Sequence, residues 1–175
     1  MRVGRSRGIL VATLLAASAS LTPAAAHDHQ PPRLLLEHDG QRQRGINYHG
    51  WWTTRSGDGC VGWDAVGPRA FPDTAVREPD PWGAIRLVKR QQPRKVSLKA
   101  WPLVGPDDQP VGAATLVDAD VRRVRGAATR QWGVVFDPPF AGDNYLELFV
   151  EWKDTQRCGG AQGGYWGFHL FSESL

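Results

Sequence analysis

The stretch Asn144-Tyr-Leu-Glu-Leu-Phe-Val-Glu-Trp152 alternates with a period of two. Leu146, Leu148, Val150 and Trp152 share one face; Tyr145, Glu147, Phe149 and Glu151 take the other. That period matches an extended strand buried on one side and no helix. Glu147 and Glu151 are read as solvent-facing. At four residues apart they stand about 13 Å from each other by strand rise, wider than either spacing of a glycosidase carboxylate pair. A polar turn, Lys153 to Gly164, follows. Then Tyr165 to Phe171 alternates again, with Trp166, Phe168 and Leu170 on one side. The two segments predict a β-hairpin with a long loop. Its Gly159-Gly160-Ala-Gln-Gly163-Gly164 run lacks a following helix N-terminus, so it reads as a flexible hairpin loop rather than a phosphate cradle.

The rest of the chain fits the same class. No segment after residue 26 sustains apolar spacing at three and four residues. Leu34 to Leu36, Gly45 to Trp52, Ala84 to Val88, Lys95 to Val104 and Gln131 to Phe136 read as strands, with Ala113 to Val117 and Val121 to Val124 as weaker candidates. Turn signals such as Ser56-Gly-Asp-Gly59, Pro79-Asp-Pro81 and Gly105-Pro-Asp-Asp108 separate them. About seven or eight short strands with frequent turns predict an all-β sandwich or barrel.

The first 26 residues have the layout of a cleaved secretory signal. Arg2, Arg5 and Arg7 precede an apolar run from Gly8 to Leu21, and Ala24-Ala25-Ala26 offers an A-x-A site. The run is shorter than the roughly 20 residues a spanning helix needs, and no other stretch is long and apolar enough to span. Cleavage after Ala26 would leave a tail, 27–32, and one domain, 33–175. The signal holds three of the 21 Lys and Arg residues and no acid, so 18 bases face 18 acids in what remains. That balance argues against a nucleic-acid partner. The two basic stretches, Arg86 to Lys99 and Arg122 to Arg125, read as solvated strand and loop faces. Outside the cytoplasm two cysteines in a small domain most often pair. Cys60 and Cys158 are therefore expected to form a disulfide, which the chain-entropy model values at roughly 4–5 kcal/mol. A free thiol or a metal pair is the alternative.

The segment Gly142-Asp-Asn-Tyr-Leu-Glu-Leu148 resembles strand F of immunoglobulin-like sandwiches, where a tyrosine hydroxyl closes a corner onto the backbone. With Pro93 to Leu98 and Tyr165-Trp-Gly-Phe168, the pattern from about residue 34 to 173 is similar to small secreted bacterial β-sandwich proteins of uncharacterised function. Those often carry two cysteines close together, in a Ser-Tyr-Cys-Trp stretch and just beyond it. Here the stretch is Asn47-Tyr48-His49-Gly50-Trp51 without a cysteine, which leaves Cys158 as the partner for Cys60. The resemblance implies an immunoglobulin-like fold and no activity.

Candidate chemistry is sparse. There is no G-x-S-x-G elbow, and the four serines beyond the signal, Ser56, Ser97, Ser172 and Ser174, suggest no triad. No catalytic residues are assigned. Trp132, Trp152 and Trp166 fall in phase with apolar neighbours and are expected in the core. Adjacent Trp51 and Trp52 should point to opposite faces. With Trp63 and Trp82 they are the candidates for an exposed stacking platform. Cleavage after Ala26 would also place His29 third in the chain. The terminal amine, two amide nitrogens and an imidazole of His27-Asp28-His29 then form a planar nitrogen set suited to Cu(II) or Ni(II). The leading expectation is a secreted, non-enzymatic binding or interaction protein of the bacterial envelope, with an unknown envelope protein or glycan as partner. The alternatives are a Cu(II)- or Ni(II)-binding protein and a carbohydrate-binding module.

Overall fold

The computed structural model describes residues 31–38, 41–78, 83–87, 91–125, 130–153 and 158–173. Every element among them is a strand: β1 (Leu34–His38), β2 (Gln41–Arg44), β3 (Ile46–Ser56), β4 (Gly59–Val66), β5 (Val76–Glu78), β6 (Gly83–Leu87), β7 (Lys95–Trp101), β8 (Thr115–Val117), β9 (Ala119–Arg125), β10 (Arg130–Phe136), β11 (Gly142–Lys153) and β12 (Ala161–Ser172). They form two sheets. One has the order β2-β1-β6-β10-β9; the other runs β4-β3-β12-β11-β7-β8, with β5 attached to the end of β12. Only the β5–β12 pair is parallel among these. The result is a β-sandwich.

The alternation in β11 does what its period demands. Leu146, Leu148, Val150 and Trp152 are all 0% exposed and face the other sheet, together with Trp166, Phe168 and Leu170 of β12. The five-stranded sheet answers with Leu34, Leu36, Ile85, Leu87, Val134 and Phe136. Trp52, Trp152 and Trp166 meet edge to face, with centroids 5.5, 6.3 and 6.1 Å apart. Each such side chain buries roughly 150–250 Å², so this trio anchors one end of the core. Trp132 is half-buried against the same core, under the Arg123 guanidinium at 4.2 Å.

Among the described residues twelve strands replace the expected seven or eight, and two of the additions, β2 and β4, have a common cause. β2 (QRQR) and β4 are edge strands, and β5 is a three-residue extension. Of β2 only Gln43 is buried, and β4 is almost wholly exposed. An edge strand that covers no core carries no apolar alternation to read. The β3–β4 hairpin turns at Gly57-Asp58, where Gly57 takes a φ of 59°, the left-handed value a tight hairpin turn reserves for glycine. Cys60 on β4 lies at disulfide distance from Cys158, with Cα atoms 5.6 Å apart, so the edge strand is tied to the β11–β12 connection.

The corner before β11 differs from the expected one. Asn144 closes it: its Nδ2 donates to the carbonyls of Phe140 (2.8 Å) and Gly142 (3.0 Å), and its Oδ1 accepts from the Phe140 amide (3.2 Å). The Tyr145 ring instead stacks on His169 at 4.2 Å. Asn144 is fully buried and supplies donor and acceptor in one group.

Candidate functional site

The outer face of the seven-stranded sheet carries aromatic side chains where a solvated sheet face would carry polar ones. Register fixes their rows. In one row His49 of β3, Tyr165 of β12, Phe149 of β11 and Ser97 of β7 are cross-strand partners. In the next stand Trp51, Gly163, Glu151 and Lys95. Phe149 and Tyr165 have centroids 4.9 Å apart, Tyr165 and His49 5.7 Å, and Trp51 and Phe149 6.2 Å. Such contacts are worth about 0.5–1.5 kcal/mol beyond burial, so the rings hold one another in a fixed half-buried platform.

Two local devices build this platform. The first is a β-bulge. Tyr165 pairs with His49 while its neighbour Trp166 pairs with Asn47, so Tyr48 is an extra residue with no cross-strand partner. A bulge re-aims one side chain. Here Tyr48 joins His49 on the outer face, its ring 6.2 Å from Tyr165. Asn47 Nδ2 fastens the bulge by donating to the Tyr165 carbonyl at 3.1 Å. The second device is glycine. A Cβ at Gly163 would meet the Val150 carbonyl oxygen at 2.6 Å and Trp51 Cζ2 at 3.2 Å, so the indole lies over a residue that needs no side chain. The indole Nε1 donates to the Ala161 carbonyl at 2.8 Å. Gly163 and Gly164 are therefore buried strand residues rather than part of a flexible loop, and only Gly159 and Gly160, both with positive φ, remain in the connection.

The segment between β4 and β5 crosses the same face and walls the platform. Phe71 is buried against Tyr145 (5.6 Å) and Trp101 (6.4 Å). His169 holds the crossing segment through Nδ1 to the Pro72 carbonyl (3.2 Å) and also contacts Asp143 through Nε2 (2.9 Å). Gln109 Nε2 donates to the Arg69 carbonyl from the other side (3.0 Å). Arg69, thus positioned, lies over the Trp101 ring at 5.2 Å and reaches Glu147.

Glu147 is the polar centre. Expected in solvent, its side chain is 3% exposed. Arg69 Nε donates to Oε2 at 2.6 Å, the Tyr48 hydroxyl donates to the same oxygen, and Lys99 Nζ lies 3.4 Å from Oε1. Burial alone would raise its pKa. The hydrogen bonds from Tyr48 and Arg69, with the charges of Arg69 and Lys99, outweigh burial and hold the carboxyl below its ordinary range. Burial, then the bond to Glu147, pushes the Tyr48 hydroxyl well above its usual value, so it stays a donor. Tyr48, His49, Gly67, Arg69, Lys99, Glu147 and Tyr165 line an open depression of about 390 Å³.

The sequence candidates distribute unevenly. Trp51 stands on the platform, half-buried. Trp52 belongs to the core at 6% exposure, because adjacent strand residues point to opposite faces. Trp63 is the register partner of Trp52, but its side chain lies outside the described residues, as do Trp82 and the His27-Asp28-His29 triplet. Among the described residues no group of three or more His, Cys, Asp or Glu could hold a metal ion, and no helix is long and apolar enough to cross a membrane. Sequence reasoning missed Tyr48, Arg69, Glu147, Phe149 and Tyr165 as site residues. The readable signal was the pair of aromatics, Tyr145 and Phe149, on the side of β11 that should have faced solvent.

No family model, curated protein or solved structure matches this chain. What fold and site define is a class: a two-sheet β-sandwich with a walled aromatic platform on one outer face.

Proposed function

We propose that this chain is a secreted, non-catalytic binding module whose outer aromatic platform holds a glycan. The observation that carries the reading is the cluster of Trp51, Phe149, Tyr165 and His49 across two adjacent rows, a set of rings kept half-buried on a rigid sheet. A sugar ring has one face of C–H bonds and a rim of hydroxyls. The C–H face packs on the negative face of an aromatic ring, and the rim needs donors and acceptors, which the border of the depression supplies. Its volume, about 390 Å³, falls in the range of small-ligand sites. The non-catalytic reading is supported by the state of Glu147. A general acid needs a raised pKa and a free proton, whereas Glu147 is held as a carboxylate with both oxygens engaged. Secretion is supported by the layout of residues 1–26.

A glycan array probed with the secreted protein tests this reading. Binding to at least one glycan, lost in Trp51→Ala and Tyr165→Ala variants that keep the wild-type melting temperature, is the expected outcome. An array with no glycan bound would overturn it.

A further inference from the structure

We propose, building on the glycan-binding reading, that the platform takes an acidic polysaccharide whose sugar units carry carboxylates. Lys95, Lys99 and Arg69 border the aromatic rows on one side. Lys95 Nζ lies 5.7 Å from the centre of the Phe149 ring. Lys99 and Arg69 each give Glu147 one contact, yet their side chains remain 41% and 43% exposed. Glu147 is itself 3% exposed, so its charge is spent inside the sheet, where it sets the two cationic heads in place. These four groups leave two positive charges in excess, on side chains that stay partly open to solvent.

Among the other acids of this face, Asp143 contacts His169 and lies four residues along β11 from Glu147, about 13 Å by strand rise. Glu151 stands beside Lys95 in register and lies 3.8 Å from Arg94. Asp64 is the register partner of Trp51 on β4. That strand is four places from β7, about 19 Å at the usual strand spacing. A polymer lying across the strands from Trp51 toward Lys99 therefore meets ring faces first and ammonium and guanidinium groups next. A neutral chain would desolvate those cations without a partner, at a cost. A carboxylated chain supplies the partner, and Arg is well suited to a carboxylate.

The test uses the secreted protein and four probes in affinity electrophoresis: polygalacturonate, the same polymer fully methyl-esterified, a neutral β-glucan and polyglutamate. Polygalacturonate should bind at least about tenfold tighter than its ester, and less tightly as salt is raised. Lys95→Gln, which leaves the contacts of Glu147 intact, should weaken that binding about two- to fivefold, and Trp51→Ala should abolish it. Equal binding of the acid and the ester would overturn the acidic class while leaving the glycan-binding reading standing. Polyglutamate binding as tight as polygalacturonate, and indifferent to Trp51→Ala, would overturn the proposal in favour of an acidic protein partner. Absence of binding to any of the four probes, from a protein that binds a neutral glycan on the array, would overturn the proposal alone. Absence on the array as well would overturn both.

Discussion

At the scale of the residue, Glu147 shows how a charge becomes a structural part. Its position in the alternation placed it correctly on the outer side of β11, yet its burial was not legible there. Tyr48 comes from a bulge 99 residues away in sequence, and Arg69 from a crossing segment 78 residues away. The consequence is a pH signature. The folded state holds the carboxyl below its ordinary value near 4.3, so in acid the unfolded chain binds the proton first. The stabilisation is complete above about pH 5 and is lost as pH falls through the folded value. Glu147→Gln should therefore cost about 1–3 kcal/mol at pH 7, and the difference from wild type should shrink steadily below about pH 4. Urea unfolding of both proteins from pH 7 to 3 measures it. A difference independent of pH would mean that the carboxylate charge is not what Arg69 and Lys99 hold.

At the scale of the element, β12 joins two duties that its sequence displays only in part. Trp166, Phe168 and Leu170 were readable as a core face because hydrophobic burial imposes a period of two. The roles of Gly163, Gly164 and Gly167 on the same strand were not readable, because a missing side chain does not say what takes its place. Gly167 is the sharpest case. A Cβ there would come within 1.8 Å of the Ala70 carbonyl oxygen and 3.1 Å of Phe71 Cδ1. Backbone, not a flexible side chain, occupies the space, so Gly167→Ala should lift the crossing segment. The expected cost is about 1–3 kcal/mol, with loss of glycan binding as Arg69 leaves Glu147. Equilibrium unfolding and affinity electrophoresis of the variant check it, and unchanged values in both would contradict the close approach. The opposite test, Trp152→Ala in the tryptophan trio, should cost about 3–5 kcal/mol as measured by the same unfolding assay. Edge strands β2 and β4 escaped the sequence reading for the converse reason: most of their described side chains are exposed and carry no period.

For the molecule as a whole, one covalent link connects a weak part to a strong one. β4 has a single strand neighbour, β3, and little buried surface. Through Cys60 and Cys158 it is tied to the connection between β11 and β12, the two longest strands. Reduction should lower the unfolding free energy by about 2–5 kcal/mol, and amide exchange should rise first in β4 and in β3 around Trp51. Denaturant unfolding with and without reductant, followed by hydrogen exchange, reads both effects. Uniform exchange across the sheet would show that the link does not act locally. Sequence alone determined the all-β class, the core faces of β11 and β12 and the expected Cys60–Cys158 pair. Those depend on a local period and on a count of two thiols. The tertiary structure alone decided that Tyr48, Phe149 and Tyr165 share a surface with Trp51, and that Arg69 and Lys99 converge on Glu147. These meetings depend on which strands become neighbours, on one bulge, and on the path of a segment laid over a glycine.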